Sequence, residues 1–314
     1  MKTAAFVATL SATLSAALIV AACGGSSNSP TSPDTTATTV TPAPTPAAST
    51  VTGCVVTAST PGTPVGGTNG PYFHNIAVGN STNGLTVTNA NDALAHASVP
   101  DAVVLPDGSV GVYYVNGETD GIWLGRISGT SVTPVSAISI DGFTRPQGAV
   151  DPDAQLINGK IRLTYLFGFA SKENHRICMA ESTDGIKFTT LSLAMTFTAQ
   201  QETDPSVIQL PSGSWLMAVS RGTSTILARS TTGTSFTEYT VVNYGGVPEL
   251  ALTSDNRVRL YVCATTGIDA WVSADSGSSW TREGTLTGTS TPGRGGSCDP
   301  SALPSRNLFV FKTQ

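Results

Sequence analysis

Six carboxylates set beside five prolines are the residues in this sequence best placed to do chemistry. Val99-Pro100-Asp101, Asp151-Pro152-Asp153, Asp204-Pro205-Ser206, Val247-Pro248-Glu249 and Asp299-Pro300-Ser301 align on proline, and each supplies at least one acid. Residues two apart on a strand face the same side, so either the position before or the position after proline can face a common axis. Like charges gathered around an axis repel and raise one another's pKa. Their presence therefore calls for a bound cation, a polar ligand or acid–base work. The structural alternative is that each Asp-Pro start bonds the backbone N–H groups of its own loop.

Other side chains belong to the same end of the repeats. Arg145 and Arg294 precede the second and fifth proline units, and Arg221 ends the second strand of the third. Tyr244, Phe143 and Phe169 lie nearby and can stack on a flat ligand or cover loop backbone. Of His74, His96 and His175, only His96 lies just before an inner strand. A net charge of −5 with no basic cluster argues against a nucleic-acid partner.

The elements that must position these residues form a repeat. The prolines at 100, 152, 205, 248 and 300 are spaced by 52, 53, 43 and 52 residues, a period that suits a four-stranded propeller blade. Each proline unit opens a strand, which passes through a tight polar turn into a second apolar strand, as in LPDGSVGVYYV and LINGKIRLTYL. A second set of segments supplies outer halves: 121–132, 176–188, 225–236 and 269–280, with a fifth, HNIAVGNSTNGLTV, at 74–87 before the first inner pair. The chain ends just after the inner pair of the last repeat. The sequence thus predicts an all-β fold, a five-bladed β-propeller whose last blade is completed by N-terminal strands, leaving no open sheet edge at the closure.

At this point two resemblances enter. Ser273-Ala-Asp275-Ser-Gly277-Ser-Ser-Trp280 resembles an Asp-box, with Ser182-Thr-Asp184-Gly185 as a shortened relative. There the Asp bonds its own turn and the Trp packs between sheets. Acidic residues on the innermost strands of a five-bladed propeller, with the DPS form of the repeats, resemble the arabinanase, β-xylosidase, levansucrase and invertase group of glycosidases over about residues 70–314. That resemblance implies a carbohydrate partner and a base, a pKa-modulating Asp and a general acid from successive blades. The first phasing assigns these roles to Asp153, Asp204 and Glu249, and the second to Asp101, Asp153 and Glu202. We take the first, because Glu249 holds an aligned strand position. The family's Glu-Gly-Pro is absent, since Glu249 follows Pro248. Asp101, Asp151, Asp299, Arg145, Arg221, Arg294 and Tyr244 are then expected to contact substrate. A sialidase-like enzyme with an arginine cluster and a non-catalytic glycan-binding or scaffold propeller are the competing readings. No cofactor and no metal-ligand motif are expected, beyond a structural cation such as calcium in the central channel. The propeller is expected to be a monomer.

The N-terminal stretch reads differently. Met1-Lys2, the apolar segment Ala4–Ala22 and Val20-Ala21-Ala22-Cys23-Gly24 resemble a bacterial lipoprotein signal peptide, 1–22, with a lipobox. The resemblance makes Cys23 the acylated residue and places the protein in the cell envelope, at the outer membrane or cell surface. Residues 23–52, nearly all Ser, Thr, Pro, Ala, Gly and Asn, are expected to be a flexible tether to a domain spanning 53–314. The four remaining cysteines, Cys54, Cys178, Cys263 and Cys298, allow two disulfides in three connectivities.

Overall fold

The computed structural model describes residues 51–57, 70–169 and 174–314. The expected signal peptide, Cys23 and nearly all of the expected tether lie outside the described residues. The described residues belong to one compact unit, Thr45–Gln314.

Five sheets, each with four antiparallel strands, form the five blades of a β-propeller. From the axis outward, blade 1 comprises Ala97–Val104, Val110–Asn116, Ile122–Ser128 and Ser131–Ala137. Blade 2 comprises Ala149–Ile157, Lys160–Phe167, Arg176–Ser182 and Lys187–Thr196, extended at its outer edge by Ser139–Ile140 and Phe143–Thr144. Blade 3 comprises Glu202–Gln209, Trp215–Arg221, Ser224–Ser230 and Thr237–Val242, and blade 4 Gly246–Leu252, Val258–Ala264, Gly267–Ser273 and Thr281–Thr285. Blade 5 begins with Ser297–Leu303 and Leu308–Thr313 and is completed by Asn75–Asn80 and Thr88–Ala95. The closing register runs from Asn75 opposite Thr313 to Asn80 opposite Leu308.

The apolar runs of the inner strands follow from burial on both faces. In WLMAV of blade 3, Trp215, Met217 and Val219 pack with blade 2, while Leu216 and Ala218 pack with blade 4. Alternation along the strand sends successive side chains to opposite neighbours, so neither face can be polar. Five apolar clusters result, one in each gap between blades.

On the face carrying the short hairpin turns, the blades also dock by polar contacts. The Tyr113 hydroxyl donates to Gly185 O (2.7 Å), Arg162 Nη1 to Gly233 O (3.3 Å) and the Tyr239 hydroxyl to Gly277 O (2.6 Å). Arg259 Nη1 donates to Asn83 O (2.8 Å) and Arg306 Nη2 to Gly108 O (2.9 Å), completing the circuit. The receiving turns are self-bonded. Asp275 accepts from the N–H groups of Ser278 and Ser279, and Asn83 accepts likewise from Leu85 and Thr86. Glycine is required where these turns meet a neighbour. A Cβ on Gly233, at φ 73°, would lie 2.4 Å from the Trp215 ring.

Cys54 pairs with Cys178 and Cys263 with Cys298. The first bond fixes residues 51–57 against blade 2, where Cys54 and Val56 join the apolar cluster. Removing the hydroxyl in Tyr113→Phe leaves the Gly185 carbonyl without its donor. The expected cost is about 1–2 kcal/mol, measured as a lower urea midpoint with an unchanged slope.

Candidate functional site

The site begins with a backbone distortion repeated in every blade. The residue before each inner proline has a left-handed φ: 50° at Val99, Asp151 and Asp204, 49° at Val247 and 47° at Asp299. Each innermost strand slips register against its partner at this point. Such a conformation in a non-glycine residue costs on the order of 1–3 kcal/mol and persists only where its surroundings hold it. Here it brings the five prolines, the residue before each of them, and Asp101, Asp153 and Glu249 after three of them to the wall of one axial cavity. That cavity has a volume of about 20 Å³, room for about one water molecule.

The residues after proline form a deep ring that binds each blade to the next. Asp101 Oδ2 accepts from Ala154 N–H (2.6 Å), Asp153 Oδ1 from Val207 N–H (3.2 Å) and Ser206 Oγ from Leu250 N–H (2.9 Å). Glu249 Oε1 accepts from Ala302 N–H (3.1 Å), and Ser301 Oγ from Ala102 N–H (2.9 Å). Each donor follows the equivalent ring position in the next blade, so the circuit closes on itself. The two serines also donate onward, Ser206 to Glu249 Oε2 and Ser301 to Asp101 Oδ1, both at 2.9 Å. Asp101, Asp153 and Glu249 are buried, and one oxygen from each lies within 4.8 Å of the others.

The residues before proline form the rim. Asp151, Asp204 and Asp299 come together there with Val99 and Val247. The Asp204 N–H donates to Asp151 Oδ2 (3.2 Å), and Lys312 Nζ lies 2.9 Å from Asp299 Oδ2. Asp151 and Asp299 are buried, whereas Asp204 is half-buried. His74 stands behind the rim, its Nδ1 2.8 Å from Ser98 Oγ. Burial and the Lys312 charge hold its pKa low.

The expected catalytic set is therefore divided between two rings. Asp153 and Glu249 meet Asp101 in the deep ring, and Asp204 meets Asp151 and Asp299 at the rim. Glu202 of the second phasing does not line the cavity; it is buried and paired with Arg221 (3.0 Å). The arginine cluster of the sialidase-like reading does not form, because each arginine is held by a nearer acceptor. Arg145 donates to Thr119 O (2.7 Å), Arg221 also pairs with Glu238, and Arg294 pairs with Asp92 (3.2 Å). Tyr244 stacks on Trp271, ring centroids 3.7 Å apart. His96 stacks on Tyr72, and His175 Nδ1 lies 2.6 Å from Glu202 O.

Two elements of the site escaped sequence reasoning. Lys312 reaches the rim because its strand pairs it with Cys298, next to Asp299, a register no local pattern displays. Asp92 ties blade 5 together by accepting from Asn75, Thr291, Thr313 and Arg294.

No family model and no curated protein matches the chain. Several solved structures are similar in fold. They include a GH43_1 enzyme from Xanthomonas citri, at 15% identity over 69% of this chain and 87% of that one, TM-score 0.47. The native arabinanase from Bacillus subtilis shares 15% identity over 69% and 94%, TM-score 0.48. The α-L-arabinanase from Cellvibrio cellulosa, complexed with arabinohexaose, shares 12% identity over 66% and 82%, TM-score 0.49. The blade count stands on the strands of this chain itself.

The electrostatics of the two rings are those of carboxyls held from water. Burial lifts Asp101 to about 7. Burial, then the Asp101 charge, lifts Asp153 well above the ordinary range, and Glu249 is raised likewise by burial, Asp101 and Asp153. Burial and the Asp299 charge lift Asp151 to about 7, while burial, Asp151 and Asp299 raise Asp204. Acids with raised folded-state pKa values stabilise the fold fully below their unfolded values near 4. That stabilisation is lost as pH rises through their folded values. In chelator, the thermal midpoint should fall by roughly 5–10 °C between pH 5 and pH 8. A midpoint that is flat or rises over this interval would show that the rings are ionised without penalty.

Proposed function

We propose that this chain is a carbohydrate-active propeller of the glycoside hydrolase kind, held at the cell envelope through Cys23. The observation that carries the reading is half-buried Asp204 bonded to Asp151 on a rim that also carries the ion-paired Asp299. Cleaving a glycosidic bond takes a protonated carboxyl to give its proton to the leaving oxygen and an ionised one to act as base or nucleophile. Asp204, half-buried and raised by burial and two neighbouring acids, is the proton donor. Asp299, held by Lys312, is the ionised partner. Asp151 accepts the Asp204 N–H and tunes its proton affinity. In this assignment Asp153 and Glu249 leave the catalytic set and hold the blades together.

Hydrolysis of arabinan, xylan, fructan and sialoside substrates tests the assignment. Asp204→Asn should lower kcat by at least about 100-fold. Glu249→Gln should lower the thermal midpoint while turnover per folded molecule persists. Full turnover in Asp204→Asn would remove Asp204 from the mechanism. The small axial cavity favours a second reading, a propeller that binds glycan without cleaving it. Calorimetric binding with no turnover on any substrate would decide for that reading.

The deep ring supports a cation. Oxygens of Asp101, Asp153 and Glu249 within 4.8 Å of one another suit a calcium ion with ligands at about 2.3–2.6 Å. Ion binding would also offset the burial, and for Asp153 and Glu249 the neighbouring charge, that raise their pKa values. At pH 8, calcium should raise the thermal midpoint above that in chelator, magnesium should do so less, and Asp153→Asn should abolish the difference. Identical midpoints in calcium and chelator would reject the ion.

A further inference from the structure

The axial cavity is too small for a sugar ring, so any ring presented to the rim must rest off the axis. Between blades 4 and 5, segments 264–267, 289–291 and 294–297 together with Thr313 line a half-open cavity of about 380 Å³. That size falls within the range of small-molecule sites. Ser297, on its wall, lies two residues before Asp299 on the strand that leads to the rim.

The walls are braced from several sides. The Cys263–Cys298 disulfide joins the chain entering the 264–267 wall to the chain leaving the 294–297 wall. Gly295 and Gln314 exchange backbone hydrogen bonds at 2.9 and 3.2 Å. The Ser297 hydroxyl donates to Thr289 Oγ1 (3.1 Å) across the cavity lining. A pocket fixed before its ligand arrives loses less freedom on binding.

Seven of the twelve lining residues carry hydroxyls, none is aromatic, and Arg294 is the one charged residue among them. Arg294 is held from behind through Nε, which donates to Asp92 Oδ2 at 3.2 Å. Burial works to raise the Asp92 carboxyl, but side-chain donors led by Thr291 outweigh it and lower its pKa. Asp92 therefore remains an ionised support for the guanidinium. The two terminal nitrogens of Arg294 have no partner among the described residues, and the side chain is 37% exposed. A guanidinium fixed at Nε and open at its terminal nitrogens presents donors to a carboxylate.

We infer that this braced cavity is a sugar subsite in which hydroxyls meet the ring and Arg294 grips a carboxylate, so that it takes a uronic acid residue. The inference deepens the carbohydrate reading of the rim and gives its substrate a charge.

Calorimetric titration of the full chain with trigalacturonate, and in parallel with neutral galactotriose, tests it at low salt. Trigalacturonate should bind about tenfold or more tightly than the neutral sugar, as a charge-assisted pair allows. Arg294→Met should remove that preference. Thr266→Trp, an exposed position on the wall, should fill the cavity and weaken both ligands. Equal affinity for the two sugars, or wild-type trigalacturonate binding in both variants, overturns the subsite. Hydrolysis of neutral glycans with no preference for uronate also overturns it, while leaving the rim mechanism standing. Uronate binding that depends on Arg294 without hydrolysis of any glycan supports the subsite and removes the rim mechanism.

Discussion

Each blade is a sheet with two apolar faces, and neither face can be left in water. Met217 and Val219 point one way and Leu216 and Ala218 the other, all fully buried, so blade 3 requires both neighbours. The same holds around the circle, and the only arrangement that satisfies five such sheets is a closed one. Closure brings five strand starts to one axis, where the backbone is crowded and its N–H groups need acceptors. The deep ring meets that need with one side chain per blade, alternately carboxyl and hydroxyl over part of the circuit. The distorted residue before each proline is held in place by the same closure.

This arrangement separates two demands on acidic residues that one dimension of sequence cannot separate. The proline repeat placed all six carboxylates at the axis, and it located strands, blades and the order of closure. It could not distinguish depth. Alternation makes residues two apart equivalent, yet the register slip at each proline puts Asp151 at the rim and Asp153 in the deep ring. The hydroxyls of Ser206 and Ser301 belong to the same circuit as Asp101 and Glu249, although their types suggested nothing of the kind. Sequence reasoning weighted charge, whereas the structure counts acceptors.

Long-range pairing accounts for the rest. Lys312 faces Asp299 through strand register, and Arg294 takes its direction from Asp92, about two hundred positions earlier. The disulfides share this character, since Cys54 and Cys178 are 124 residues apart. That bond joins a segment outside the blades to the third strand of blade 2, a meeting no local pattern displays. Arg145, Arg221 and Tyr244 lay close to the mouth by topology, but nearer partners engaged each of them.

The Cys54–Cys178 bond also has a mechanical meaning. The strand that completes blade 5, Asn75–Asn80, lies downstream of Cys54 and would be the first to peel if the chain were drawn from its N-terminal side. Tension applied at residue 51 instead passes through Cys54 into Cys178, on the third strand of blade 2. Strand Asn75–Asn80 then lies outside the line of force. The seam of the propeller is thus unloaded, and the covalent bond bears the strain. With the disulfide reduced, the same pull would run directly into the closing strand and open the circle at its seam.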